Sequence, residues 1–297
     1  MSAPAEMVLQ PSSEPSPGRT PSQIELDRRA FRKKQDGKSI LVSVGSTLAF
    51  ALVLGFLVLN SPGWEAVKKS FFNWEIGAEY FPKILSGFWL NIRVLLVAAV
   101  LVALFGSLLA VARTLKGSVF TPIRLLAAAY TDLFRGLPVL LVLYLVGYGI
   151  PGLQIFPRMP IAFWGTIALT LCYSAYVGEV LRAGIEAVHP SQRMAARSLG
   201  LTYYQTLRIV VMPQAVRKVT PALMNDFVSM QKDVGLISVL GAIDAIRAAQ
   251  IASATTYNST PYVVAGVLFV LLAWPMIRLT DWYTARTQQR EQIGGEV

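Results

Sequence analysis

The chain predicts an all-α membrane protein with six transmembrane helices, and three observations carry that expectation. Of its 297 residues, 54% are hydrophobic and only 15% are charged, against about 25% charged in an average soluble domain. The apolar residues gather into runs long enough to cross a hydrocarbon core, which takes about 20 residues of helix each. The 27 Lys and Arg outnumber the 17 Asp and Glu and cluster beside alternate ends of those runs, as the positive-inside bias requires. A nucleic-acid binder would collect its cations on one polar face, so the formal net charge of +10 does not imply a nucleic-acid partner.

Residues 1–39 are expected to form a disordered, basic cytoplasmic tail, most clearly in the Pro- and Ser-rich stretch 1–23, which has no periodic apolar positions. The spans follow at roughly 40–60, 87–113, 122–149, 161–187, 222–250 and 261–283. The first is no cleaved signal: it starts far into the chain, exceeds a signal's apolar region, and lacks a small-residue exit beside Leu59-Asn60. Between spans one and two, residues 61–86 carry Trp64, Phe71, Phe72, Trp74, Tyr80 and Phe81. That density fits an outer segment anchored among lipid headgroups, and a partner contact is the other reading. Span five is interrupted by Asp226, Lys232, Asp233, Asp244 and Arg247. Arg28, Arg29, Arg32, Lys33, Lys34 and Lys38 precede span one, Arg113, Lys116 and Arg124 join spans two and three, and Arg193, Arg197, Arg208, Arg217 and Lys218 follow span four. These loops, the N-terminus and the tail 284–297 are therefore expected in the cytoplasm.

Several patterns imitate chemistry that the context denies. Gly147 to Gly152 matches G-x-G-x-x-G, but no strand precedes it and Pro151 lies inside it, so a loop at the outer end of span three is expected. Gly37-Lys38-Ser39 lacks the earlier glycine of a phosphate loop, Arg32 standing there. Any ATP that drives this protein must bind another chain. Asn258-Ser259-Thr260 is a formal glycosylation sequon. Cys172 is the one cysteine and reads as a packing residue. His189, the one histidine, has no Cys or carboxylate company for a metal. No catalytic residue, metal or cofactor is expected.

The most informative stretch is the polar, basic segment after span four, about thirty residues where a short turn would suffice. Ser191 to Leu199 predicts a short helix with Pro190 in its first turn and Gly200 as its stop. Tyr203 to Val211 predicts a second helical piece ended by Pro213. Ala195 and Ala196 leave a flat face that a partner's backbone could approach.

This segment, residues 189–213, resembles the EAA loop of ABC importer permeases: E-A-A, three residues, G, nine residues, I-x-L-P. Met194-Ala195-Ala196, Gly200 and Pro213 keep the spacing, and Val210 and Met212 fill the approach to the proline. Met194 replaces the family's glutamate, and Ser191 replaces a glycine common before Gln192. Phe134-Arg135-Gly136-Leu137-Pro138, Ser174-Ala175-Tyr176-Val177-Gly178-Glu179-Val180-Leu181-Arg182-Ala183-Gly184-Ile185 and Lys232-Asp233-Val234-Gly235-Leu236 resemble motifs of the polar amino-acid uptake branch, in the same order. The resemblance covers about residues 80–285. It implies a type I ABC importer permease-like core of five spans, residues 87–283, plus an extra N-terminal span, in a bacterial inner (plasma) membrane. It also implies a second permease subunit, two ABC ATPase subunits, an extracytoplasmic solute-binding protein and a polar amino acid as cargo, glutamate or glutamine being favoured. Gln192, Met194, Ala195, Ala196, Leu199, Gly200 and Pro213 are then the ATPase-coupling residues, with Ala195, Ala196 and Gly200 as the docking face.

Charges within spans are costly and usually face partners or water. Here they come as couples three apart, Asp132 with Arg135, Glu179 with Arg182, and Asp244 with Arg247, a spacing that puts both members on one helical face. Mutual neutralisation is one reading. A gate at the inner or middle depth, from Asp132, Arg135, Glu179 and Arg182, is another. Asp244 and Arg247 could meet a zwitterionic substrate, while Lys232 and Asp233 suit the bundle or the inner gate. Buried carboxylates would also serve an ion- or proton-coupled secondary transporter, but that class calls for matching repeats in two halves, which this chain lacks.

Overall fold

The computed structural model describes residues 22–115 and 117–294, and every regular element among them is helical. In chain order the helices are α1 Gln23–Leu59, α2 Trp64–Phe71, α3 Trp74–Thr114, α4 Thr121–Gly136, α5 Val139–Tyr144, α6 Ile150–Gly152, α7 Ile161–Glu186, α8 Pro190–Ser198, α9 Tyr203–Gln205, α10 Met212–Asp233, α11 Ala245–Thr256 and α12 Thr260–Gly294. Wide π turns at Leu145–Gly149 and Thr206–Val211, and 3-10 turns at Ser118–Phe120 and Val234–Leu240, connect several of them.

The chain divides into two compact units, residues 1–65 and 66–297. In the first, α1 carries the apolar run Val42–Leu59. It begins at Gln23, so residues 23–39 are helical where a disordered tail was expected. The stretch 23–36 has no Pro or Gly and is rich in Gln, Glu, Leu, Arg and Lys, all good helix formers. The disorder expected for residues 1–21 lies outside the described residues.

In the second unit α3 and α7 form the centre. The buried residues of α3, among them Ile84, Phe88, Asn91, Leu95, Ala98, Val102, Gly106 and Ala110, recur at intervals of mostly three and four. That is a single stripe on one helical face. Small residues bring the helices close: a Cβ on Gly106 would lie 2.8 Å from Val177 Cγ1, and one on Gly178 would lie 3.2 Å from the Gly106 carbonyl oxygen. α3 starts at Trp74, where Asn73 Oδ1 accepts from the Ile76 N–H at 3.2 Å. The latter part of the expected interfacial segment 61–86 is therefore the beginning of a long helix, and only α2 stands apart from it.

Among the described residues, four helices are long and apolar enough to cross a membrane, or six if each of two bent helix pairs counts as one span. The expected spans 122–149 and 222–250 are these bent pairs, turned by 107° and 52°. In the first, Leu137 is extended (φ −94°, ψ 137°) ahead of Pro138, because proline crowds a helical conformation out of the residue before it. In the second, Gly241 takes φ +93° and Asp244 caps the new helix α11. Residues 147–152 form the end of a π turn and α6 instead of the expected loop; Pro151 follows the π turn in continuous helical backbone, and the wider turn shifts the ladder so that its missing N–H is not demanded.

Pro213 does not end a helix. It sits in the first turn of α10, directly after the π turn Thr206–Val211. The wider turn shifts the hydrogen-bond ladder, so the N–H that proline lacks is not demanded.

Candidate coupling surface and translocation path

α8 and its flanks form an elbow at the end of α7. His189 Nδ1 accepts from the Ser191 N–H at 3.2 Å and Pro190 fills the first turn. The helix closes through Gly200 N–H to the Arg197 carbonyl (3.0 Å) and Leu201 N–H to the Ala196 carbonyl (3.3 Å), with Gly200 at φ +81°. Only glycine reaches that region without strain. Thr202 and Gln205 then cap each other reciprocally, side chain to backbone, at 3.3 and 2.8 Å. Arg193 donates to the Ile185 carbonyl and ties α8 to the last turn of α7. Ile185, Val188, Val211 and Ala215 form an apolar seat beneath.

The side chains of the elbow divide. Met194 is 63% exposed and Leu199 83% exposed, and Gln192, Ala195, Gly200 and Pro213 are also exposed. Ala196, expected on the docking face, is buried at 4% exposure, since α8 packs against the Thr206–Val211 turn. Its small side chain serves that inward contact.

The charge couples reorganise. Glu179 receives Arg182 twice, at 2.7 and 3.0 Å, and Arg113 from the end of α3 at 2.5 Å, with Arg135 of α4 at 3.9 Å. Arg182 also reaches Glu186 at 2.5 Å. One carboxylate thus gathers α3, α4 and α7. Arg113 and Arg135 meet it from the last turns of α3 and α4. Further along the chain, Gly147 abuts Leu240 and Tyr148 Oη donates to the Val239 carbonyl at 3.1 Å. Asp132 is exposed and forms no ion pair with Arg135 among the described residues. Glu179→Gln should lower thermal stability by about 1–2 kcal/mol, because removing one partner strands its cations while partial exposure tempers the loss. A thermal melt in detergent reads this, and an unchanged midpoint would show that the cluster holds nothing together.

Asp244 and Arg247 are no ion pair either. Asp244 is 0% exposed; its Oδ1 accepts from the Arg247 backbone N–H at 2.8 Å, and its Oδ2 accepts from Asn91 Nδ2 at 3.0 Å. A helix starts at this point, so the carboxylate caps it instead of reaching one turn on. Asn91 Nδ2 also donates to the Val234 carbonyl (3.1 Å), and its Oδ1 accepts from the Ala245 N–H (3.1 Å). Asp233 accepts from Tyr173 Oη at 2.8 Å, and Lys232 is exposed. The Arg247 guanidinium binds Gln250 Oε1 at 2.7 Å and lines a cavity of about 370 Å³ with Tyr144, Tyr148, Ser238 and Gly241.

Residues 103–289, more than half of the chain, match the family described as the binding-protein-dependent transport system inner membrane component. The chain belongs to this family. The permease is 34% identical over 193 residues to the arginine transport system permease protein ArtQ of Bacillus subtilis, a match covering 64% of this chain and 86% of the relative. It is 28% identical over 223 residues to the glutamate/aspartate import permease protein GltK of Escherichia coli, covering 73% and 98%. A crystal structure of an amino acid ABC transporter with histidines superposes with TM-score 0.64 at 33% identity, over 70% of this chain and 96% of the other. Nothing in these matches supports the ion-coupled alternative.

Residue patterns alone did not single out Asn91 of the permease. Its signal is an uncharged amide inside an apolar helix, one turn after Gly87 on the same face. Gln231, 1% exposed, and Asp226 both hold buried side-chain atoms with no hydrogen-bond partner among the described residues. Asn258 of the sequon has a structural use: it donates to the Lys69 carbonyl at 2.8 Å and accepts from the Thr260 N–H at 2.9 Å.

Proposed function

We propose that the permease carries a polar amino acid, of the glutamate or glutamine type, inward across a bacterial inner membrane. ATP is hydrolysed by two separate ATPase subunits that dock on the α8–Gly200 elbow. A second permease subunit completes the pathway and an extracytoplasmic binding protein delivers the cargo. The chain crosses six times with both termini and the elbow in the cytoplasm. Family membership and relatives named for arginine and for glutamate/aspartate transport support this reading; the positive-inside bias supports the orientation.

The observation that carries the coupling role is the exposed elbow itself, an outward-facing Met194, Leu199 and Gly200 strapped to α7 through Arg193. Closure of the ATPases would then turn α7 as a rigid body, straining the Glu179 cluster that joins it to α3 and α4. That cluster is the gate of this proposal, with Asp132 as its outward acid and Lys232 and Asp233 further along the path. Arg247, at the cavity beside the α10–α11 bend, is the one member of its couple free to bind a substrate carboxylate, because guanidinium pairs well with carboxylates and Asp244 is sequestered.

Gly200→Asp tests the coupling. Space around a Cβ there is open, and the backbone strain of Asp at φ +81°, about 1–2 kcal/mol, falls on one exposed turn, so the fold should survive. Amino-acid-stimulated ATPase activity of the reconstituted complex should fall about tenfold, within the 1–3 kcal/mol typical of coupling between sites. Normal stimulation with normal uptake would overturn the assignment of the elbow.

A further inference from the structure

A second cavity, of about 520 Å³, lies where α7, α8, α10 and α12 meet. His189, Gln192, Arg217, Lys218, Tyr283 and Thr287 line it, and none of its lining residues is acidic. Arg217 is exposed and has no ion pair among the described residues. Lys218 Nζ gives one hydrogen bond to the Ala187 carbonyl at 3.3 Å, which leaves donors to spare. Two described carboxylates on the adjoining helices are engaged elsewhere, Glu186 with Arg182 and Asp281 with Arg278. Among the described residues, no carboxylate lines the cavity beside these cations.

The cavity also sits at a particular level. The uncharged apolar run of α12 ends at Ile277, and Tyr283 and Thr287 follow Arg278 and Asp281 beyond that end. Trp282 beside them is 54% exposed, with the Arg286 guanidinium 5.2 Å from its ring. Exposed aromatics and cations at the end of an apolar helix mark headgroup depth. Two cations, two side-chain amides and two hydroxyls lining one cavity match a phosphodiester, which offers one negative charge and several acceptor oxygens. Basic pockets between helices on the cytoplasmic side are where anionic headgroups bind.

We propose that this cavity holds the phosphate of an anionic phospholipid from the leaflet at the α8 end, seated against Arg217 and Lys218. The proposal rests on the orientation given above, in which that leaflet is the cytoplasmic one. A lipid there would tie α12 to the elbow and make coupling sensitive to membrane charge.

The test uses the full permease with its ATPase subunits in phosphatidylcholine nanodiscs holding a minor fraction of spin-labelled phosphatidylglycerol. The complex should immobilise the anionic lipid in preference to spin-labelled phosphatidylcholine. Arg217→Gln should lower that preference roughly fivefold, the factor expected for one cation at an anionic surface, and Arg217→Lys should retain most of it. Equal preference in Arg217→Gln would overturn the proposal. Binding of soluble glycerol phosphate in phosphatidylcholine discs, with no lipid preference, would assign the cavity to a free phosphate and overturn the lipid. A preference seen only without the ATPase subunits would give the basic face to them. Amino-acid-stimulated ATPase activity on the same discs reads the importer assignment separately, so failure of one leaves the other standing.

Discussion

Gly87→Val should abolish the folded bundle. A Cβ at Gly87 would lie 2.4 Å from the Asp244 carbonyl carbon, 2.5 Å from its oxygen and 2.7 Å from the Ala245 nitrogen. These are backbone atoms, held by the Asn91 hydrogen bonds, so no flexible side chain can swing aside. Overpacking a core typically costs about 1–3 kcal/mol; here the α10–α11 bend must also leave α3, and a loss of at least about 3 kcal/mol is expected from the broken buried network. Gly266→Val is the matched control, since nothing lies within 4 Å of a Cβ there. Thermal unfolding followed by size exclusion in detergent should show Gly87→Val aggregating at low temperature and Gly266→Val behaving nearly as wild type. A Gly87→Val protein that melts with the wild type would refute the close approach of α3 to the bend.

Asn91→Ala should cost about 3 kcal/mol by a different route. It removes three buried hydrogen bonds, to the Val234 carbonyl, the Asp244 carboxylate and the Ala245 N–H. Leaving a buried polar group unpaired costs about 1–3 kcal/mol, and more for a charged one. The effect should be strongly non-additive with Asp244→Ala, because removing both partners strands fewer groups than removing one. A double-mutant cycle on unfolding free energies should give a coupling of at least about 1 kcal/mol, well above the scatter of independent sites. Simple additivity would show that Asn91 and Asp244 do not act as a unit.

These two residues mark what was hard to read in the sequence. Hydropathy reports that a stretch is apolar, and on that basis α7 was expected at 161–187 and is found at Ile161–Glu186. It does not report direction, so spans three and five were expected to run on through Leu137-Pro138 and Gly241, where the structure turns. The elbow was legible in its parts, because a first-turn proline and a glycine stop are local chemistry: Pro190 opens the helix and Gly200 closes it, whereas the caps by His189, Thr202 and Gln205 emerged only from the structure. Pro213 misled, since a preceding π turn removed the demand for its missing N–H. The same-face rule for residues three apart found Glu179 with Arg182. It missed Arg113 and Arg135, which come to Glu179 from other helices, and it misassigned Asp244, which lies at a helix start and not inside one.

The apolar helices and the polar elbow, residues 189–213, were therefore legible in the sequence alone, because they depend on composition or on residues close along the chain, and the family was legible from short motifs in a fixed order. Tertiary structure decided which charges meet, that Ala196 turns inward while Met194 and Leu199 face out, and that Asn91 fastens α3 to a broken helix. Those outcomes depend on residues more than a hundred positions apart being pressed within hydrogen-bonding distance, as Asn91 and Asp244 are. Glycines such as Gly87 permit that approach by the absence of a side chain, and no periodicity along one helix records what stands opposite it.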